Sequence, residues 1–71
     1  MTLNGIVVSS RDTSAVIYNR KQFVLVTHLN GSLPTGSKVK VGGRWYEKHY
    51  LRHDFTDGYV DAFRAEAVVV R

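Results

Sequence analysis

The sequence predicts an all-β chain folded as one small five-stranded barrel, and three observations predict it. Val, Ile, Tyr, Phe and Thr recur in short runs separated by turn residues, and no helix-period apolar stripe exceeds two turns. The length of 71 residues allows one domain, residues 1–71, with one core. A glycine pair, Gly42-Gly43, interrupts an otherwise long strand pattern. Such a pair lets a small sheet turn a barrel corner, and closure removes the edges that an open sheet leaves unpaired.

The elements follow in order. Leu3 to Ser9 reads as the first strand, with Leu3, Val7 and Ser9 on one face, Ile6 and Val8 on the other, and Gly5 as a bend or bulge. After the polar loop Ser9 to Ser14, the strand Ala15 to Tyr18 turns through Asn19-Arg20-Lys21 into Gln22 to Leu29, which makes a hairpin. Asn30 to Ser37 holds the only proline and two of the six glycines, so it is an exposed connection with room for one helical turn at most. Lys38-Val39-Lys40-Val41 alternates strictly and resumes after the glycines as Arg44-Trp45-Tyr46-Glu47. Thr56-Asp57-Gly58 supplies a hairpin turn, and Tyr59 to Val70 forms the last strand. One of its faces carries Tyr59, Asp61, Phe63, Ala65, Ala67 and Val69, and the other Val60, Ala62, Arg64, Glu66, Val68 and Val70.

Composition narrows the setting. Hydrophobic residues at 44% with 23% charged describe a folded chain. With no cysteine there is neither a disulfide framework nor a thiolate metal site. The N-terminus lacks the basic and apolar regions of a signal peptide, and apolar runs such as Ala67 to Val70 fall far short of the ~20 residues of a membrane span. A cytoplasmic protein with no membrane partner is expected. A net charge of +4 and a pI near 9.8 favour an anionic partner. Between Lys38 and Phe55 five cations (Lys38, Lys40, Arg44, Lys48, Arg52) face two acids (Glu47, Asp54), so +3 of the +4 lies in that segment.

If that segment stays extended, Arg44, Tyr46, Lys48, Tyr50 and Arg52 share one face, opposite Trp45, Glu47, His49, Leu51, His53 and Phe55. Bases of a single strand expose flat π-surfaces strung on phosphates, so alternating rings and cations suit them. The same alternation also suits an exposed β-face on which cationic stems shield tyrosine rings. Trp45 has the bulk to fill the barrel. Lys38 and Lys40 point outwards, where they meet phosphate or solvent, and Arg20 and Lys21 sit at a hairpin tip as phosphate clamps or as ordinary turn residues.

Catalysis is not expected. His49 and His53 would face together only on a helix, the serines lack a Gly-x-Ser-x-Gly setting, and Gly42-Gly43 lacks the Lys-Ser/Thr of a phosphate loop. No metal or other cofactor is implied.

The run Leu33-Pro34-Thr35-Gly36-Ser37-Lys38-Val39-Lys40-Val41-Gly42-Gly43-Arg44-Trp45, then Thr56-Asp57-Gly58 and Phe63 to Val70, resembles bacterial single-stranded DNA-binding proteins and the related primosomal OB protein. Leu3 to Val8 and Phe23 to Thr27 resemble their first two strands. The resemblance implies an OB-fold-like barrel, commonly oligomeric, that binds single-stranded DNA or RNA. It assigns binding to Arg44, Trp45, Tyr46 and Lys48, and then to Tyr50 and Arg52. The strand and helix that the family places before the Gly-Ser motif are missing here. The alternative is an SH3-like or OB barrel that docks its Arg44-to-Phe55 hairpin on an acidic protein surface, as an accessory subunit or mobile-element inhibitor. Tyr and Arg are also the residues enriched in interface hot spots.

Overall fold

The β-branched and aromatic runs form strands in a computed structural model that describes residues 1–53 and 56–71, the side chains of residues 49, 51–53 and 56 excepted. The strands are β1 (Thr2–Ser10), β2 (Ala15–Asn19), β3 (Gln22–Thr27), β4 (Lys38–His53) and β5 (Thr56–Val70). They close into a barrel in the order β1-β2-β3-β5-β4, with β4 returning to pair with β1. Neighbours run antiparallel except β3 and β5, which are parallel from Val24↔Asp61 to Thr27↔Arg64. The all-β, five-stranded barrel expected from the sequence, OB-like in size and strand number, is the fold.

Alternation builds the core. Leu3 and Val7 of β1, Ile17 of β2, Val24 and Val26 of β3, Val39 and Val41 of β4, and Phe63 of β5 are almost wholly enclosed. Burying each such aliphatic side chain contributes about 1.5–3 kcal/mol. Leu29 and Leu33, beyond the end of β3, pack against this cluster. Their loop is held on the barrel by main-chain and hydroxyl contacts: Leu33 N donates to Ser10 Oγ (2.7 Å), Gly36 N to the Val7 carbonyl (2.7 Å) and Val7 N to the Ser37 carbonyl (3.0 Å).

Strict alternation fails at three register shifts, and each corrects an expected face. In β1 one extra residue lies between Val7↔Ile17 and Ser9↔Val16. Ser9 therefore leaves the face of Leu3 and Val7, and the bulge sits beside Val8, not at Gly5. Between Gly42↔Ala67 and Gly43↔Ala65 the extra residue is Glu66 of β5. Phe63 and Ala65 point inward before it and Val68 after it, which breaks the single face expected for β5. Between Tyr46↔Ala62 and His49↔Val60 the two residues Glu47 and Lys48 oppose Asp61 alone.

Two boundaries also move. Thr56-Asp57-Gly58, expected as the turn, is the start of β5, paired as His53↔Thr56, Arg52↔Asp57 and Leu51↔Gly58. β3 ends at Thr27 because His28 adopts φ 62°, which no strand residue does. Among the described residues β4 meets β1 over Lys38–Gly42 and β5 meets β3 over Asp61–Arg64, and no farther. Past Tyr46 and Asp61 the two strands thus continue beyond the barrel as a two-stranded ribbon.

Candidate functional site

The third bulge decides where the rings and cations of β4 point. Residues opposite one another on paired strands share a face, and successive residues alternate. Tyr46, opposite Ala62, therefore lies outside the barrel, whereas Tyr50, opposite Tyr59, lies on the face that continues from Trp45 and Phe63. The expected ridge of Arg44, Tyr46, Lys48, Tyr50 and Arg52 is not formed, because the extra residue at Glu47-Lys48 exchanges the two faces. The Arg52 side chain and Phe55 lie outside the described residues.

Each part of the divided ridge has its own partners. Arg44 is exposed and pairs with Glu66 at 3.4 Å, and Lys48 lies 4.0 Å from Asp61. Trp45 packs edge-on against Phe63 with centroids 5.1 Å apart and stays 37% exposed at the barrel mouth, so it belongs partly to the core and partly to the surface. Tyr46 crosses β5 on the outside, above the fully enclosed Ala62, and its hydroxyl shares a 2.5 Å hydrogen bond with Thr27 Oγ1 on β3. Tyr50 packs edge-on against Tyr59 (5.5 Å) and donates its hydroxyl to Asp57. That bond to a carboxylate favours the neutral phenol, so the Tyr50 pKa is raised above its ordinary 10.0, with partial desolvation adding to the effect.

Other predicted residues converge elsewhere, on the outer face of β1, β2 and β3. There the register Phe23↔Tyr18↔Ile6↔Lys38 crosses four strands in one row. Tyr18 and Phe23 have centroids 5.2 Å apart, and Tyr18 (39%) and Ile6 (41%) are well exposed. A groove over the Tyr18 and Ile6 part of this row is bordered by Lys38, Arg20 and Arg71. Lys40 shares the outer face of β4 with Lys38, since Val39 and Val41 between them point into the core. Arg20 also borders the recess beside Trp45, which links that ring to the same flank.

Arg20 and Lys21 are the two central residues of the β2–β3 hairpin, with Asn19↔Gln22 as the closing pair. Both have positive φ, 47° and 69°. This is the conformation that matches the strand twist and that Asn-Gly adopts most easily. Among the described residues the ion pairs are those of Arg44 and Lys48, so Arg20, Lys38 and Arg71 border one groove with no acid in an ion pair beside them, Lys40 follows on the same outer face of β4, and Lys21 is exposed at the hairpin tip.

Thus the structure brings Arg20 and Lys38 to one groove, with Lys40 farther along the same outer face of β4, Lys21 at the hairpin tip and Trp45 in the adjoining recess, and separates them from Arg44 and Tyr46 on one side and Lys48 and Tyr50 on another. Ile6, Tyr18, Phe23 and Arg71 were not foreseen in this role. Tyr18 and Phe23 read as ordinary strand residues, and the usable signal was the positive-φ turn required between two such short strands. Chemically, the flank offers flat apolar rings beside cations that attract an anion. Among the described residues no three His, Cys, Asp or Glu gather as a metal site, and no helix is long and apolar enough to cross a membrane.

No family model, no curated protein and no solved structure matches this chain.

Proposed function

We propose that the protein binds single-stranded nucleic acid across the outer face of β1, β2 and β3. The observation that carries this reading is the Tyr18–Phe23 ring pair, with Tyr18 well exposed and Phe23 half-buried beside it, set in register with Lys38 and next to Arg20. Rings at this position stack bases, and the cations beside them meet the phosphates. The closed order β1-β2-β3-β5-β4 supports reading the barrel as an OB fold, whose ligands lie on the face of strands 2 and 3. The likeness of the Gly-Ser-to-Trp45 run to single-stranded DNA-binding proteins points the same way.

The test is a fluorescence titration with oligo-dT and oligo-U at low and high salt. Quenching is expected, with affinity falling as salt rises, because the protein's cations release the counterions condensed on the phosphates. Tyr18→Ala should weaken binding by about 1–3 kcal/mol, the range for one stacked base. Affinity independent of salt would contradict the reading.

A protein partner is the second reading, favoured by the ribbon. Tyr50 is 57% exposed and Tyr59 73% at its surface, and tyrosines on a strand pair that projects from a barrel suit an interface. This reading requires a single stoichiometric protein that co-purifies after nuclease treatment and is lost with Tyr59→Ala.

A further inference from the structure

We propose that the groove between the β1–β2 loop and the end of β3 reads the identity of one nucleobase. This rests on the binding reading above and adds base preference to it. Thr13, Ser14, Thr27, His28, Asn30 and Tyr46 line the groove. Leu29 completes the lining and no Lys, Arg, Asp or Glu is in it, so a mostly apolar surface with a few hydroxyl, amide and imidazole groups suits a flat neutral ligand with hydrogen-bonding edges, not a phosphate. A base is such a ligand, with a flat π-face and hydrogen-bonding edges.

The walls are already fixed in position. Thr27 Oγ1 lies 2.5 Å from the Tyr46 hydroxyl and 2.8 Å from His28 Nδ1, which ties both rings to β3. The rings stand edge-on to one another, 6.3 Å apart. Leu29 N donates to the Thr13 carbonyl at 3.0 Å, which bolts one wall to the other, and the enclosed Leu29 side chain anchors that bolt in the core. His28 turns the chain at φ 62°, a left-handed conformation that His, Asn and Asp adopt more often than other side-chain-bearing residues, and so presents its imidazole at the end of β3.

The groove also lies on the path of a bound strand. Phe23, Leu25 and Thr27 alternate outward along β3, because Val24 and Val26 point into the core. From Phe23 to Thr27 is about 13 Å at the usual strand rise. A chain stacked on Tyr18 and Phe23 and running along β3 reaches Tyr46 and the groove at the far end.

The experiment measures the affinity of the full chain for dT, dC and dA homo-oligomers of equal length at one salt concentration. It is repeated with Asn30→Ala and Tyr46→Phe, and each variant is checked by thermal melting. The protein should prefer its best homo-oligomer over its worst by about tenfold or more, the scale of one base-edge contact. Either variant should shrink that preference to about threefold or less by weakening the best binder. Asn30 is exposed in a loop, so its variant decides the matter if Tyr46→Phe melts early. Equal affinity for all three homo-oligomers, or a preference unchanged in both variants, overturns the base-reading groove and leaves the binding face standing. Absence of binding to every homo-oligomer overturns both.

Discussion

At Gly43 the barrel wall has no room for a side chain: a Cβ there would overlap the Arg64 carbonyl oxygen and press on Phe63 Cε1. Backbone cannot retreat as a flexible side chain can, so Gly43→Ala should destabilise the fold by about 3 kcal/mol. Gly31 has nothing within 4 Å, and Gly31→Ala should stay within about 0.5 kcal/mol of the parent. Urea denaturation of the two variants checks the contrast. Tyr50 offers a second residue-scale test. Its neutral form accepts the help of Asp57, so its folded pKa lies above the unfolded 10.0. The contribution to stability is full below pH 10.0 and is lost as pH rises through the folded value. Asp57→Ala should bring the Tyr50 titration down towards 10.0, as followed by the NMR shift of its Cζ.

Elements were legible where local chemistry governs them. β-branched runs marked all five strands, the Gly42-Gly43 pair marked a register shift, and Asn19 to Lys21 marked a hairpin turn. Faces were legible only as far as the next bulge. A bulge is set by how neighbouring strands twist around a closed wall, which no single strand's residues disclose, and each one inverts every side chain beyond it. Tyr46 and Tyr50 were therefore assigned together from the sequence and lie apart. The row on the outer face of β1, β2 and β3 is illegible in the sequence for a related reason, since Ile6, Tyr18, Phe23 and Lys38 come from four strands and meet only through the register. The β2–β3 turn makes this testable at the scale of one element. Replacing Arg20-Lys21 with Asn-Gly puts at the two positive-φ positions one residue that tolerates that conformation and one that has no side chain, and should stabilise the barrel by about 1 kcal/mol or more. Thermal melting should then show a midpoint higher by several degrees, roughly 4–8 °C per kcal/mol, while oligonucleotide affinity falls.

For the whole molecule, the position of charge matters more than its total. Arg44 and Lys48 belong to the basic segment, yet both face acids of β5 across the β4–β5 pair. Lys38 and Lys40 belong to the same segment but lie against β1, where the barrel's closure brings Lys38 to the groove that Arg20 also borders. Surface ion pairs contribute little to stability, but they leave less positive potential for a ligand. Each cation that meets a phosphate of a single strand adds about −0.7 to the slope of log affinity against log salt. Lys38→Gln should therefore make the slope shallower by about that amount, and Lys48→Gln should leave it unchanged. Oligonucleotide titrations at several salt concentrations measure both.

The most direct test is an amide NMR titration of the whole chain with a short single-stranded oligonucleotide. Shifts concentrated at Ile6, Tyr18, Arg20, Lys21, Phe23 and Lys38 are the predicted result. Shifts confined to Lys48, Tyr50 and residues 57–60 of the ribbon, or no shifts at saturating oligonucleotide, would contradict the account.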